Sequence, residues 1–209
     1  MFKNRTEAGQ KLAQKLETYR GQEAVVLALP RGGVVLGYEV ARALSFPLDI
    51  IATRKVGHPN NPEYAIGVVD ENDMNILNET ETLSINRQWL EEEIAKQKAE
   101  AKRRSLLYRK GKKPLDLAGK VVIIVDDGIA TGFTMRLAAR IAKKQQPKKI
   151  ITAVPVAPSD SIRELKKEGA DEVIILEKPE QFRGAVGAHY QEFEQVDDEE
   201  VIRLLHSVE

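Results

Sequence analysis

Two adjacent carboxylates, Asp126 and Asp127, stand where a dense apolar run ends and a turn rich in glycine and threonine begins. The run at 121–125 reads Val-Val-Ile-Ile-Val, which predicts a strand buried on both faces. Gly128, Thr131 and Gly132 then lead into a helical pattern. That order places backbone N–H groups at a helix N-terminus, where anions bind well. Phosphate alone would be repelled by the two aspartates. The ligand that suits this stretch carries a phosphate together with something carboxylates bind, either vicinal hydroxyls or a divalent cation. A phosphorylated sugar meets both demands.

Strand, acidic pair and a loop of the form x-x-x-Thr-Gly-x-Thr resemble, feature for feature, the signature of the type I phosphoribosyltransferases. Proteins of that family bind phosphoribosyl diphosphate (PRPP), and this chain resembles their uncharacterised bacterial members. The resemblance implies that Asp126 and Asp127 contact the ribose hydroxyls, directly or through Mg2+ and water. It also implies that Gly128, Ile129, Ala130, Thr131, Gly132, Phe133 and Thr134 wrap the 5′-phosphate. Mg2+ suits such a setting because it keeps waters and takes few carboxylates beside phosphate oxygens.

Pro30-Arg31-Gly32-Gly33 matches the family's pyrophosphate loop by its place after the first core strand. Two glycines let a backbone approach an anion closely, and Arg31 can pair with a phosphate. The resemblance further implies a cis peptide between Pro30 and Arg31. Arg54 and Lys55, after the second strand, are expected to face pyrophosphate. Residues 58–67 occupy the place of the family's mobile lid, with Asn61, Glu63 and Tyr64 as candidate participants. The catalytic set implied is Asp126, Asp127, Arg31 and Lys55.

The implied reaction displaces pyrophosphate from the anomeric carbon of PRPP by a small nitrogenous acceptor. One residue departs from the family's 6-oxopurine enzymes. Their loop carries an aspartate where this chain has Ala130, so the acid–base group expected near a purine ring nitrogen is missing. Adenine-type enzymes also have alanine there, so catalysis stays open and the acceptor stays unnamed. The alternative is a non-catalytic regulator that binds PRPP or a nucleotide. Such a protein would usually add a DNA-binding module or a basic face, and residues 102–113 read instead as a solvated helix end. A PRPP synthase would be longer. No Gly-x-x-x-x-Gly-Lys-Ser/Thr or Gly-x-Ser-x-Gly motif occurs, which removes the common phosphate-loop and serine-hydrolase readings. His58, His189 and His206 are too scattered for a metal site and read as surface or packing residues.

The elements that must hold these residues alternate between strand and helix. Buried strands are predicted at 25–29, 48–53, 121–125, 149–156 and 172–176, with helices near 8–21, 32–44, 133–144 and 159–168. Residues 65–69 and 74–77 flank a turn and predict a hairpin. Residues 84–108 predict one long helix, acidic early and basic late, with Glu92–Lys96 and Glu100–Arg104 at stabilising spacing. A short helix closes the chain within 197–208. Phe182, Tyr190 and Phe193 read as core or interface residues rather than a base clamp.

The fold class expected is α/β, a doubly wound and mostly parallel sheet resembling the type I phosphoribosyltransferase core. One domain spans 1–209, with its core at 22–56 and 119–178 and a lid or insert at 57–111. Residues 1–21 and 179–209 form a small hood. Ligands of such sheets sit beyond the carboxyl ends of the strands, where Arg31, Arg54, Lys55, Asp126 and Asp127 are expected to converge. The 209 residues carry 32 basic and 32 acidic side chains and no cysteine. That balance predicts no nucleic-acid partner and excludes disulfides and thiolate metal sites. No apolar run reaches the length of a membrane span and the first residues open no signal peptide. A cytoplasmic protein is expected, with no membrane partner and with room for a homodimer.

Overall fold

Five parallel strands, β1 (Ala24–Ala28), β2 (Leu48–Ile50), β6 (Val121–Val125), β7 (Lys149–Val154) and β8 (Glu172–Ile175), form the central sheet in the order β2-β1-β6-β7-β8. They are seen in a computed structural model that describes residues 1–208. All residues of β1 and β6 are buried, because alternate side chains enter two different cores. Val26, Ala28, Ile123 and Val125 face helices α1 (Arg5–Lys15), α2 (Gly32–Leu44) and α7 (Asp198–Leu205). Val25, Leu27, Val122 and Ile124 face α5 (Phe133–Lys144) and α6 (Ser161–Lys167). The apolar runs are thus continuous because both faces are covered.

Between β2 and β6 the chain builds a second unit. Strands β3 (Thr53–His58), β4 (Asn61–Asp70) and β5 (Asn75–Leu77) form an antiparallel sheet in sequence order. A one-turn helix α3 (Glu79–Thr82) and the long α4 (Arg87–Arg109) follow. Val56, Ile66 and Val69 pack against Ile85, Leu90 and Ile94, while Val68 and Ile76 pack against Leu137 of α5. The small sheet is therefore clamped between α4 and α5. Asn86 caps α4 by accepting the Trp89 N–H at 3.0 Å, which fixes where that helix starts.

Three expectations need correction. The second strand stops at Ile50 instead of Thr53, because its partner β1 ends at Ala28, just short of Pro30, which has no N–H to extend the ladder. Thr53 instead pairs with Asp70 in the second sheet, so Arg54 and Lys55 lie inside β3. Residues 61–67, assigned to the lid from sequence, form part of strand β4. Pro62 is absorbed at a bulge, opposite Gly57, where any Cβ would overlap the Pro62 carbonyl oxygen. Lys96 pairs with Glu93 at 3.4 Å rather than with Glu92, whereas the Glu100–Arg104 pair forms at 2.8 Å.

The basic end of α4 is also less solvated than expected. Arg109 is only 11 % exposed and Asp49 only 7 %. Asp49 accepts from Arg109 Nε at 2.8 Å, from the Ile50 N–H at 2.7 Å and from the Leu115 N–H at 2.9 Å. One carboxylate thus ties an edge strand, the end of α4 and the segment leading to β6. Breaking a buried pair by deleting one member leaves an uncompensated charge. Asp49→Ala is expected to lower the unfolding free energy by about 3–5 kcal/mol. Arg203→Ala, which removes an exposed pair on α7, should change it by less than about 1 kcal/mol. Denaturant titration of both variants checks the contrast, and equal effects would refute it.

Candidate active site

Asp126 and Asp127 emerge from the carboxyl end of β6, opposite the turn that leaves β1. That turn has to carry glycine. A Cβ on Gly32 would overlap Asp127 Oδ2, and one on Gly33 would fall 2.9 Å from Asp126 Oδ1. Asp126 Oδ1 accepts the Asp127 N–H at 2.9 Å. Asp127 Oδ2 accepts from Arg5 Nε at 2.8 Å, and the Asp127 carbonyl accepts the Tyr190 hydroxyl at 2.6 Å. Burial, then the repulsion of the neighbouring carboxylate, pushes the Asp126 carboxyl well above its ordinary range, with Lys55 and Arg5 opposing. Asp127 is also raised, chiefly by burial, while Arg5 pulls it down. Two largely buried carboxylates with one guanidinium, on Asp127, form a site short of positive charge.

The loop after the pair is anchored on one side and open on the other. Ile129 is buried in the core and its N–H donates to the Val156 carbonyl at 2.9 Å. Its amide is therefore spent on the scaffold, unlike what was expected of it as a phosphate ligand. The Phe133 side chain packs beside Val68 and Leu137. Ala130 and Thr131 are exposed, and Thr134 is partly so. Gly132 caps α5 at φ 79° with no side-chain cap. The first-turn amides of α5 thus have no side-chain acceptor, the arrangement that favours an anion. Gly128 lies under the C-terminal segment, where a Cβ would come within 2.6 Å of Val186 Cγ1 and 2.8 Å of Val156 Cγ2.

On the other side of Pro30 a cleft of about 710 Å³ opens, shared by Pro30, Arg54, Lys55, His58, Glu63 and Thr134 among others. Arg54 and Lys55 therefore reach the same cleft as the first-turn threonine of α5, although both belong to the second sheet. The Pro30–Arg31 peptide is cis, as the resemblance implies. Arg31 Nη1 stands 3.6 Å from Asp198 Oδ1 at the start of α7. Asp198 also accepts the Tyr108 hydroxyl at 2.6 Å. Burial and that carboxylate push the phenol up to about 12, so it stays a neutral donor. Of the lid candidates, Glu63 lines the cleft and Asn61 begins β4 at the hairpin tip. Tyr64 is turned aside, donating its hydroxyl to Glu81 at 3.0 Å.

Both chain ends close over the acidic pair. Phe2 bridges to Tyr190, the terminal ammonium pairs with Glu177 at 2.8 Å, and Tyr190 and Phe193 lie 4.9 Å apart between ring centres. The Arg5 guanidinium lies over Phe193 at 3.8 Å and donates to the Glu194 carbonyl at 2.5 Å. Tyr190 is a packing residue, as expected, but its hydroxyl reaches the site. His189 is fully buried, between Glu177 Oε2 at 2.6 Å from Nδ1 and the Arg183 N–H at 3.0 Å from Nε2. His206 Nε2 lies 2.9 Å from the Tyr108 carbonyl, also a packing role. Arg5, Tyr190 and Asp198 were not identified from sequence. No motif marks them, since each acts across a long sequence separation.

The phosphoribosyl transferase domain family matches residues 3–192 of the chain. A Mycobacterium tuberculosis protein, named only provisionally as a phosphoribosyl transferase, is 39 % identical over 207 residues. The match covers 98 % of this chain and 46 % of that protein, so the chain spans about half the length of this curated relative. Among solved structures, the protein TT1426 of Thermus thermophilus is 39 % identical with a TM-score of 0.79, over 99 % of this chain and 98 % of that one. A Neisseria gonorrhoeae protein solved with ppGpp bound is 14 % identical with a TM-score of 0.50, over 99 % and 98 % of the two chains. At that identity it shares the fold alone. No helix of the described residues is long and apolar enough to cross a membrane. The family match runs over most of the chain and includes every loop that meets at the acidic end of the sheet, and on that ground this chain belongs to the phosphoribosyl transferase family.

Proposed function

We propose that the protein transfers the ribose 5-phosphate group of PRPP to a nitrogenous acceptor and releases pyrophosphate, with Mg2+ as cofactor. The observation that carries this reading is the largely buried Asp126–Asp127 pair, which precedes the uncapped start of α5 and feels the charge of Lys55, a residue that lines the neighbouring cleft with Arg54 and Thr134. A donor with a 5′-phosphate, a hydroxylated ring and a diphosphate has one group for each of these three surfaces. The carboxylates accept from the ribose hydroxyls and lie near the ring as it gains positive charge. Thr131, Thr134 and the loop amides hold the 5′-phosphate. Arg31, Arg54 and Lys55 meet the negative charge that develops on the departing diphosphate, the kind of preorganised stabilisation that dominates many active sites.

The charge-poor carboxylate pair fits Mg2+, which binds through one or two carboxylates and retained waters. Asp126 and Asp127 would hold it, directly or through water, and when bound it would supply positive charge to the donor's diphosphate. Ala130 offers no group for proton transfer. The acceptor must then present a nitrogen already able to attack, or lose its proton to a group outside this loop.

The reading is tested by incubating the protein with PRPP, Mg2+ and a panel of purine, pyrimidine and other nitrogen nucleophiles, following pyrophosphate release. Acceptor-dependent release is expected, and Asp127→Asn should lower it by about a hundredfold or more. Tight PRPP binding without turnover for any acceptor would identify a regulator instead. Failure to bind PRPP would overturn both.

The same pair predicts an opposing effect on stability. A carboxyl whose native pKa lies above its unfolded value binds more protons in the native state. Its contribution is therefore favourable at low pH and is lost as pH rises from the ordinary carboxylate range through the raised native value. Asp126→Asn removes that titration. At pH 7 the variant should unfold at higher denaturant concentration than the unmodified protein. The difference should vanish near pH 3. A variant less stable at pH 7 would show that the buried charge is already compensated.

A further inference from the structure

The cleft beside Pro30 has a wall that none of the implied site residues occupies. It is one stripe of the inserted helix α4: Trp89, Glu93, Gln97 and, further along, Arg104 all line it. The first three are spaced by four, so they share a helix face. The stripe is organised around a single cation of the opposite wall. Glu93 Oε1 accepts from Gln97 Nε2 at 2.7 Å, and Gln97 Oε1 in turn accepts from Arg54 Nε at 3.0 Å.

The amide is thus held with its oxygen towards Arg54, and the guanidinium is fixed through the nitrogen nearest its stem. Its two terminal nitrogens make no hydrogen bond and no ion pair among the described residues, and they are not sealed from solvent. Arg54 is partly buried, so this is no freely solvated surface side chain. Burial presses its pKa down and the charge of Arg104 acts in the same direction, with Arg31 a lesser contributor, while Glu100 and Tyr108 oppose. Two guanidinium groups that line one cleft, those of Arg54 and Arg104, suit a multiply charged anion placed between them.

We propose that α4 builds part of the diphosphate subsite, with Gln97 as the positioning residue that presents Arg54 to the leaving diphosphate and Arg104 as a second cation upon it. The inference rests on the donor assigned above and adds residues from outside the shared sheet. The neutral amide matters to this arrangement. A carboxylate at position 97 would hold Arg54 more tightly while cancelling the charge the diphosphate needs. Glu100, which pairs with Arg104 at 2.8 Å, leaves that guanidinium with further donors for a phosphate oxygen.

Calorimetric titration with inorganic pyrophosphate, PRPP and ribose 5-phosphate, each with Mg2+, tests it. In the unmodified protein all three should bind. Arg104→Gln and Gln97→Glu should each weaken pyrophosphate and PRPP by about tenfold or more, the scale of a lost charge-assisted hydrogen bond. Ribose 5-phosphate should bind as before, because it engages only the acidic pair and the α5 loop. Arg104→Lys should recover part of the loss. Lys102→Gln, on the same helix, exposed and without a side-chain hydrogen bond or ion pair among the described residues, should change none of the three. Thermal unfolding of each variant separates a local effect from a misfolded helix, and the two sites give independent readings if one variant fails to fold.

Unchanged pyrophosphate affinity in both variants, or equal losses for all three ligands in folded protein, would overturn the inference and leave the donor assignment standing. Absence of PRPP and pyrophosphate binding in the unmodified protein would overturn the donor assignment, and this inference with it.

Discussion

Two carboxylates of like charge sit side by side at the buried end of a strand, and much of the surrounding structure answers that arrangement. Such a pair is costly in a protein interior unless compensated. Here the compensation comes from unusually distant parts of the chain. Arg5 lies 122 positions from Asp127, and Tyr190 lies 63 positions from it. The turn leaving β1 gives up side chains at Gly32 and Gly33 so that the carboxylates can lie against it. Compensation is nevertheless incomplete, since both groups remain raised above the ordinary carboxylate range. A site left short of positive charge in this way is stabilised by a ligand that brings a cation or hydroxyl donors.

The second sheet can be understood from the same end of the molecule. A parallel sheet offers its ligand only the loops beyond its strands, and two of those loops already carry the acidic pair with the α5 amides and the Pro30–Arg31 turn. Further cations have to come from elsewhere. The chain leaves β2 early, turns antiparallel at Thr53 and so brings Arg54 and Lys55 to the cleft on a rigid strand. The long helix α4 then does two things at once. Its apolar residues Leu90 and Ile94 cover the small sheet, and its polar stripe faces the cleft. At its far end, Arg109 locks the helix to the edge of the main sheet through Asp49. The position of the cleft wall is in this way set by the main core.

Elements whose periodicity was unmixed were legible in the sequence. The runs at β1 and β6 could only be strands covered on both faces, and the acidic pair with its glycine–threonine loop marks the turn between β6 and α5. Legibility failed where local and tertiary preferences disagree. Pro62 argues against a strand, yet it fits at a bulge made possible by Gly57. Thr53 continues an apolar run, yet its neighbour strand has already ended. Arg5 opens an ordinary amphipathic helix, and nothing in its local spacing marks it as the partner of Asp127. Gln97 likewise reads as one more polar residue on a charged helix. Such roles arise from contacts made only when the chain has folded.

The hood shows why those long-range contacts matter to function. The loop that carries the acidic pair is tied by the Tyr190 hydroxyl at the Asp127 carbonyl and covered by Val186 at Gly128. Arg5 is held by three groups at once: the Asp127 carboxylate, the Glu194 carbonyl and the face of Phe193. Two of these belong to the C-terminal segment and one to the sheet. Moving that segment away would therefore alter the neighbours of Arg5 and, through it, the charge balance of Asp127. The Tyr190 hydroxyl bound to the Asp127 carbonyl adds a second tie between the same two parts. Hood position and carboxylate electrostatics are thus coupled through Arg5, with Tyr190 holding the same two parts together.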